Sequence, residues 1–232
     1  MITLATTAAP AKTYSLTPSM MLEGYLSGRF PMTVSPDRPD LFTWRRPWSR
    51  GILPLNRFHI PRKLKSMIRK DKFEITVDTA FRDVLEGCSE PSERRPGTWL
   101  AEGICHVFSQ LHDEGYSHSV EASRDGELVG GVFGTQIGSV WFGESMFTRE
   151  SGASQAAFVH LNARLLAGGF TLCDVQWATE YMRRFGVEEI NHLRYRWRLA
   201  FASRKEADFY AMPEGLPGAR ILDLIQKHAQ TP

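Results

Sequence analysis

The sequence is poor in cysteine, and its few cysteines are far apart. The 232 residues include three of them, Cys88, Cys105 and Cys173, and no Cys-x-x-Cys spacing occurs. An odd number of distant cysteines argues against a zinc site and against a disulfide framework. A reducing cytoplasm is therefore the expected compartment, and Cys173, which lies in an apolar run, is expected to be a small core residue.

Long apolar runs are missing as well. No stretch reaches the roughly 18 consecutive apolar residues of a membrane-spanning helix, and residues 1–15 lack the basic start and apolar run of a signal peptide. The formal net charge is only +2, with 42% hydrophobic and 23% charged residues. These proportions are typical of a globular protein with one large domain, or one domain and a small appendage.

Positive charge is nevertheless concentrated in one segment. Ten basic residues lie between positions 45 and 72: Arg45, Arg46, Arg50, Arg57, Arg62, Lys63, Lys65, Arg69, Lys70 and Lys72. Aromatic side chains, among them Trp44, Trp48 and Phe58, alternate with them. This mixture suits a phosphate-bearing partner. The alternative interpretation is a solvated helix face.

The hydrophobic pattern indicates a domain of both helices and strands. Its 3.6-residue period predicts helices over Pro18–Gly28, Pro61–Arg69, Thr79–Cys88, Leu100–Glu114, Ser154–Ala167, Thr179–Arg184 and Arg220–His228. Alternating or short apolar runs predict strands over Phe73–Val77, Ser117–Ala122, Glu127–Thr135, Ser139–Met146 and Phe170–Gln176. Arg194–Phe201 fits either a helix or a strand, and Ile52–Leu55 fits an edge strand because it contains Pro54. This order predicts an α+β fold with helices against a mixed central sheet.

Three polar side chains stand in apolar surroundings within the last two predicted strands. Glu144 lies among large hydrophobic residues, and Asp174 and Gln176 are two residues apart in a run that is otherwise apolar. Because side chains at i and i+2 point to the same face of a strand, we expect Asp174 and Gln176 to share one space. Burying such groups is costly unless they are satisfied, so all three are candidate functional residues.

Several runs of the sequence resemble a known family when they are taken together. They are Leu22–Pro31, Phe58–Leu64, Gly97–Leu100, Gly115–Glu121, Leu128–Gly134, Phe142–Phe147 and Asp174–Gln176. In this order and spacing they resemble the leucyl/phenylalanyl-tRNA–protein transferase family, and the Gly-Glu-Ser-Met-Phe and Asp-x-Gln runs are the most specific. The sequence departs from the family pattern at Met32, Trp44–Arg50, Gln155 and Tyr181.

The resemblance implies both an architecture and an activity. A small N-terminal domain with the aromatic and basic segment, residues 1–60, would precede an acetyltransferase-like (GNAT-like) catalytic domain, residues 61–232. The expected reaction moves leucine or phenylalanine, with methionine as a further donor residue, from aminoacyl-tRNA to the N-terminal Arg or Lys of a protein. The product would be a substrate for N-degron proteolysis. No cofactor and no metal are implied, and a monomer is expected.

Aminoacyl transfer mainly requires alignment of the partners and transfer of one proton. Asp174 is the candidate to accept or steer that proton, and Gln176 to pass it on or to orient the amine. Whether Asp174 acts as a base or as an electrostatic anchor stays open at this point. Glu144 would attract the cationic acceptor.

The donor substrate requires an apolar pocket and a nucleic-acid surface. The candidate residues of the pocket are Trp99, Phe142, Ser145, Met146, Phe147 and Phe158. Plain core positions are the alternative for the five apolar residues among them. Trp44 or Trp48 would stack on the single-stranded 3′ end. The acceptor stem would be held by charge through Arg62, Lys63, Lys65 and Arg69.

Two further functions remain open on the sequence alone. The strand and helix order also suits an acetyl-CoA-dependent N-acyltransferase, but the glycine-rich pyrophosphate turn expected at a helix start is not found. A non-catalytic RNA-binding module would use the basic helix at Pro61–Lys70.

Overall fold

A mixed seven-stranded sheet forms the centre of the structure. The computed structural model describes residues 16–35, 38–91 and 98–230. The predictions made for residues 1–15 and for Gly97 therefore lie outside the described residues. The strands are β1 (Phe30–Ser35), β2 (Arg38–Arg45), β3 (Ser49–Leu53), β4 (Glu74–Val77), β5 (Ser117–Arg124), β6 (Glu127–Ile137), β7 (Val140–Thr148), β8 (Leu172–Gln176) and β9 (Glu188–Asn191). β1 and β2 pair with each other, and the other strands follow the order β4-β5-β6-β7-β8-β3-β9. Among these described strands only β7 and β8 are parallel neighbours. The predicted α+β class with a mixed sheet is confirmed.

Helices cover both faces of this sheet. They are α1 (Pro18–Leu26), α2 (Arg62–Arg69), α3 (Phe81–Ser89), α4 (Glu102–Asp113), α5 (Ala153–Ala167), α6 (Glu180–Arg183), α7 (His192–Ala202) and α8 (Gly218–Ala229). α2, α5 and α8 bury their apolar side chains in one hydrophobic cluster, and α1, α3, α4 and α7 bury theirs in a second one. Trp141 belongs to the first cluster and its neighbour Phe142 to the second, as the alternation of a strand requires. The two clusters therefore lie on opposite faces of the sheet.

The prediction of an edge strand at Ile52–Leu55 is wrong. β3 lies inside the sheet, between β8 and β9, and is antiparallel to both. The strand ends at Leu53, so Pro54 follows it and takes no position in the hydrogen-bond ladder. The proline therefore marks the end of the strand and not an edge.

The position of β3 also bears on the domain organisation. It lies before residue 60 in the chain, yet it pairs with two strands from the C-terminal part of the sequence. The segment 49–53 thus shares the main sheet, whereas β1 and β2 form the small separate sheet. The division into residues 1–60 and 61–232 stays a prediction.

The backbone at Trp177 and Ala178 packs closely against Gly51 in β3. A Cβ atom at this position would lie 2.6 Å from both the Ala178 nitrogen and the Trp177 carbonyl carbon, which are backbone atoms that cannot rotate away. We expect Gly51→Ala to lower the free energy of unfolding by about 1–3 kcal/mol because this backbone must shift. Denaturant unfolding measures the change. Gly103→Ala in α4, where a Cβ would meet nothing within 4 Å, should instead be neutral or stabilise the protein by up to about 1 kcal/mol.

Candidate active site

Glu144 occupies a β-bulge in β7. Phe133 of β6 pairs with Ser145, and the next residue, Gly134, pairs with Gly143, so Glu144 has no partner in the ladder. A bulge re-aims its side chain and shifts the alternation of the residues that follow. At this bulge the carboxyl group of Glu144 is buried, and 8% of the residue is exposed.

Two hydrogen bonds hold the Glu144 carboxyl group. The Tyr25 hydroxyl on α1 donates to Oε1 over 2.7 Å, and the Gln176 side-chain nitrogen donates to Oε2 over 2.9 Å. Burial raises the pKa of Glu144 to about 7, although both hydrogen bonds oppose the shift. A carboxyl group that titrates near neutral pH is suited to exchange protons with a substrate.

Asp174 and Gln176 do not face one space, and that expectation is corrected. Val175 is an extra residue opposite β3, because Gly51 pairs with Gln176 and Ile52 pairs with Asp174. Gln176 adopts φ +64°, a left-handed backbone conformation that ends the strand. The two-residue alternation of an extended strand therefore fails at this point.

Asp174 is instead the centre of a buried ion pair. Arg50 donates from Nε to Oδ1 over 2.8 Å and from Nη2 to Oδ2 over 2.7 Å. The Tyr195 hydroxyl donates to Oδ2 over 2.6 Å, and the backbone N–H of Gln176 donates to Oδ1 over 2.8 Å. Asp174 is fully buried and Arg50 is 1% exposed. Both carboxylate oxygens are thus occupied by donors.

Arg50 keeps its charge in this setting. Its guanidinium lies over the rings of Phe30 and Tyr195, with centroids 4.6 and 4.8 Å away. Burial acts to lower the pKa of Arg50, but the charge of Asp174 outweighs it and the pKa is raised above its ordinary value. Arg50 is one of the ten basic residues between positions 45 and 72 whose pattern suited a phosphate-bearing partner, whereas the structure buries it beside Asp174.

The three candidate groups form one connected chain. Asp174 accepts from the backbone of Gln176, and the side chain of Gln176 donates to Glu144. Only Glu144 and Gln176 of the three line a cavity of about 300 Å³. The fold therefore places Asp174 behind the cavity wall, where it contacts the site through the backbone of Gln176.

The cavity is mainly apolar. Four of the six predicted wall residues contribute to it, namely Trp99, Ser145, Met146 and Phe158. Other apolar walls that the sequence did not single out are Val132, Trp141, Leu161, Cys173, Val175, Trp177 and Met182. A volume near 300 Å³ is at the lower end for ligand pockets and suits a single side chain with its attached group.

Phe142 and Phe147 do not line this cavity, which corrects the prediction for both. Phe142 belongs to the second hydrophobic cluster, where its ring stacks on Tyr25 at a centroid distance of 4.6 Å. Phe147 also belongs to that cluster and packs against Gly87, where a Cβ would lie 2.8 Å from its ring. The bulge at Glu144 explains why positions 142 and 147, of opposite parity, share one face.

The residues predicted to bind tRNA lie on the surface. Arg62, Lys63, Lys65 and Arg69 are exposed on α2, whose Leu64 and Ile68 are buried. Trp48 is 91% exposed. Trp44 is half-buried, since its ring packs on α1 at Gly24.

Three residues of the site were not assigned to it by the sequence. Tyr25 lies in a run compared with the family, but its apolar neighbours favoured a core position. Arg50 lies at the end of a segment that departs from the family pattern, and its basic neighbours favoured a surface position. Tyr195 carried no signal at all, because its helix joins the site only through the fold. All three donate hydrogen bonds to Glu144 or Asp174.

Within residues 16–35, 38–91 and 98–230, no group of three or more His, Cys, Asp or Glu side chains is arranged to hold a metal ion. No helix in these ranges has the length and apolar character needed to cross a membrane.

Comparison with known proteins identifies the class and then the family. A family model described as leucyl/phenylalanyl-tRNA protein transferase matches residues 52–200. A protein of that name from Nitrobacter winogradskyi is 46% identical over 212 residues, covering 90% of this chain and 94% of its own length. Proteins of the same name from Paramagnetospirillum magneticum and Maricaulis maris are 47% and 43% identical, covering 84% and 88% of this chain and 92% and 94% of their own lengths. All of these relatives are named as transferases. The chain belongs to the leucyl/phenylalanyl-tRNA protein transferase family.

Proposed function

We propose that the protein transfers leucine or phenylalanine from aminoacyl-tRNA to the N-terminal Arg or Lys of acceptor proteins, and thereby marks them for N-degron proteolysis. The observation that carries this proposal is the contact between Gln176 and Glu144 at the wall of an apolar cavity. A carboxyl group with a pKa near 7 suits an acceptor that must lose a proton from its amine. The apolar cavity beside it suits the side chain of the transferred amino acid.

The cavity would hold the side chain of the transferred amino acid. Its walls are aromatic or aliphatic, and Met146 gives them some adaptability. Such a pocket discriminates by about 1–3 kcal/mol per methylene, so leucine, phenylalanine and methionine are all expected donors.

Glu144 would bind the acceptor and take its proton. An α-ammonium group has a pKa of about 7.7–8.0, close to the value near 7 of the Glu144 carboxyl group. Proton transfer between them is therefore nearly balanced in energy. The freed amine attacks the ester carbonyl, a C–N bond forms, and the C–O bond to the ribose breaks. Glu144 passes this first proton to the departing ribose oxygen, and its regenerated carboxylate then takes the second proton from the nitrogen of the new amide and releases it to solvent.

Asp174 would act as an electrostatic anchor and not as the base. Four donor groups, two of them on Arg50, occupy its oxygens, and it does not line the cavity. Its hydrogen bond to the Gln176 backbone holds that residue in its left-handed conformation. Asp174 is thus a positioning residue for the Gln176 amide, which orients Glu144 and the incoming amine.

The exposed cations of α2 would hold the tRNA backbone, and Trp48 would offer a ring for stacking. In the described part of the chain, no carboxylate forms an ion pair with Lys65 or Arg69.

A double substitution, Lys65→Ala with Arg69→Ala, should weaken tRNA binding and reduce the slope of log K against log salt by about 1–2, because phosphate contacts are lost. Filter binding at several salt concentrations measures both values. Arg82→Ala, which removes an exposed guanidinium paired with Asp113, serves as the control and should leave the slope unchanged. An unchanged slope in the double variant would remove α2 from the tRNA surface.

One assay tests the function directly. The protein is mixed with leucyl-tRNA and a peptide beginning with Arg, and mass spectrometry follows the gain of one leucine residue. A peptide beginning with Ala and an acetylated Arg peptide are the controls and should stay unmodified. Tight RNA binding without transfer would favour the RNA-binding module, and acetylation from acetyl-CoA would favour the N-acyltransferase.

We also expect the protein to act as a monomer in the cytoplasm, which sedimentation and fractionation would test.

A further inference from the structure

A second and larger cavity lies away from the candidate active site. It has a volume of about 570 Å³ and opens between β4, α5, α8 and residues 212–217. It shares no lining residue with the cavity beside Glu144. Its size is typical of small-molecule sites.

The floor of this cavity contains a buried guanidinium without a carboxylate partner. Arg164 is 2% exposed, and its Nη1 donates to the backbone carbonyls of Phe209 and Met212 over 2.9 and 3.1 Å. Among the described residues, its Nε and Nη2 donate no hydrogen bond, and no carboxylate lies within 4 Å. Burial lowers the pKa of Arg164. The charges of Glu214, Asp78 and Asp208 oppose this shift from beyond ion-pair distance. Because a buried charge without a direct partner is costly, a bound anion would complete this site.

A second buried polar group lies one helical turn before Arg164. His160 is 9% exposed and lines the same cavity. Within the ranges that the structure covers, its ring makes no hydrogen bond. Burial lowers the pKa of His160 to about 4, so the neutral ring offers one donor and one acceptor at pH 7.

The rim of the cavity carries the opposite charge. Asp71, Glu74 and Glu214 line it and are exposed, and none of them has a cationic partner in the described ranges. Between floor and rim the wall is apolar, and its buried members are Phe73, Val77, Val120, Met212 and Ile221. The cavity therefore runs from a buried positive charge, along apolar walls, to exposed negative charges.

We propose that this cavity binds a zwitterion with an apolar side chain, of the size of a hydrophobic amino acid or a dipeptide. The carboxylate of the ligand lies on Arg164, its apolar group packs on the wall, and its ammonium faces Glu214 and the other rim carboxylates. The acidic rim would repel an anion that lacks an ammonium group, and Arg164 would repel a cation that lacks a carboxylate. This site is independent of the proposed transfer reaction.

Matched ligands test the charge order. Titration with L-phenylalanine, 3-phenylpropanoate and 2-phenylethylamine, followed by NMR at pH 7, compares the zwitterion with molecules that lack one of its charges. We expect saturable binding of phenylalanine and at least tenfold weaker binding of both analogues. Equal affinity for either analogue overturns the proposal. So does the absence of saturable binding of phenylalanine and of phenylalanyl-leucine below about 10 mM.

Variants assign the binding to this cavity. Glu214→Gln, at an exposed position that should not disturb folding, is expected to weaken phenylalanine binding at least threefold. Arg164→Lys keeps the charge but loses the planar donor set, and should weaken it at least tenfold. Glu144→Gln, in the other cavity, is the matched control and should leave the affinity unchanged. Loss of binding in Glu144→Gln with retention in Glu214→Gln overturns the assignment.

Discussion

Replacing Asp174 by asparagine is expected to lower the free energy of unfolding by about 3–5 kcal/mol, because Arg50 is left as an uncompensated buried charge. The same change should reduce aminoacyl transfer by about 100-fold or more at a temperature where the variant is folded, since Gln176 loses its anchor and misplaced groups react slowly. Denaturant unfolding and the peptide assay measure the two effects.

Two controls separate stability from transfer for Asp174. Asp113→Asn breaks an ion pair with Arg82 in which both side chains are mostly exposed, and should cost less than about 1 kcal/mol. The double variant Arg50→Met with Asp174→Leu removes both charges and should recover much of the stability without recovering transfer. Full activity in a folded Asp174→Asn protein would exclude Asp174 from the site.

Replacing Glu144 by glutamine should impair the acceptor substrate while sparing the fold. We expect the KM for a peptide beginning with Arg to rise at least tenfold and kcat to fall, because the variant has neither the charge nor the proton acceptor. The profile of kcat/KM against pH should lose the limb that titrates near 7. A variant with wild-type KM and an unchanged profile would contradict the assignment.

Unlike Asp174→Asn, Glu144→Gln should not lower the free energy of unfolding. Burial raises the pKa of the folded carboxyl group from 4.5 to about 7, so its contribution to stability is largest below pH 4.5 and is lost as the pH rises to 7. A glutamine avoids this loss and keeps a hydrogen bond with Tyr25 and with a rotated Gln176 amide. At pH 8 the variant should therefore be as stable as the wild type or more stable by up to about 3 kcal/mol.

A second buried glutamate provides the control for Glu144. Glu121 in β5 is fully buried and accepts from the Thr76 and Ser119 hydroxyl groups, away from the cavity. Glu121→Gln should leave the acceptor KM and its pH dependence unchanged. An equal rise in KM for both variants would point to a general effect of replacing a buried glutamate.

Much of the fold was predictable because its elements carry local signals. The helix predicted over Ser154–Ala167 differs from the observed Ala153–Ala167 by one residue, and the strands around Glu144 and Asp174 occur where alternation and apolar runs predicted them. Arg194–Phe201, which fitted two interpretations, is part of a helix. Period and composition depend on neighbouring residues, so one sequence is enough to reveal them.

The site was predictable in its membership and not in its arrangement. Acids and amides in apolar runs stand out in any sequence, which is why Glu144, Asp174 and Gln176 were found. Their partners Arg50, Tyr25 and Tyr195 lie 124, 119 and 21 residues away in the chain from the carboxylates that they contact. No local pattern reports such pairings.

The sequence by itself determined most of the helices and the strands around the site, the candidate residues Glu144, Asp174 and Gln176, and which family the motifs resemble. Only the tertiary structure decided that Asp174 faces Arg50 while Glu144 faces the cavity, because a bulge in β7 and a left-handed residue at the end of β8 overrule the two-residue alternation. It also decided that Phe142 and Phe147 belong to the core and that Arg50 is buried. These outcomes depend on how distant segments pair, and strand register is a property of the assembled sheet.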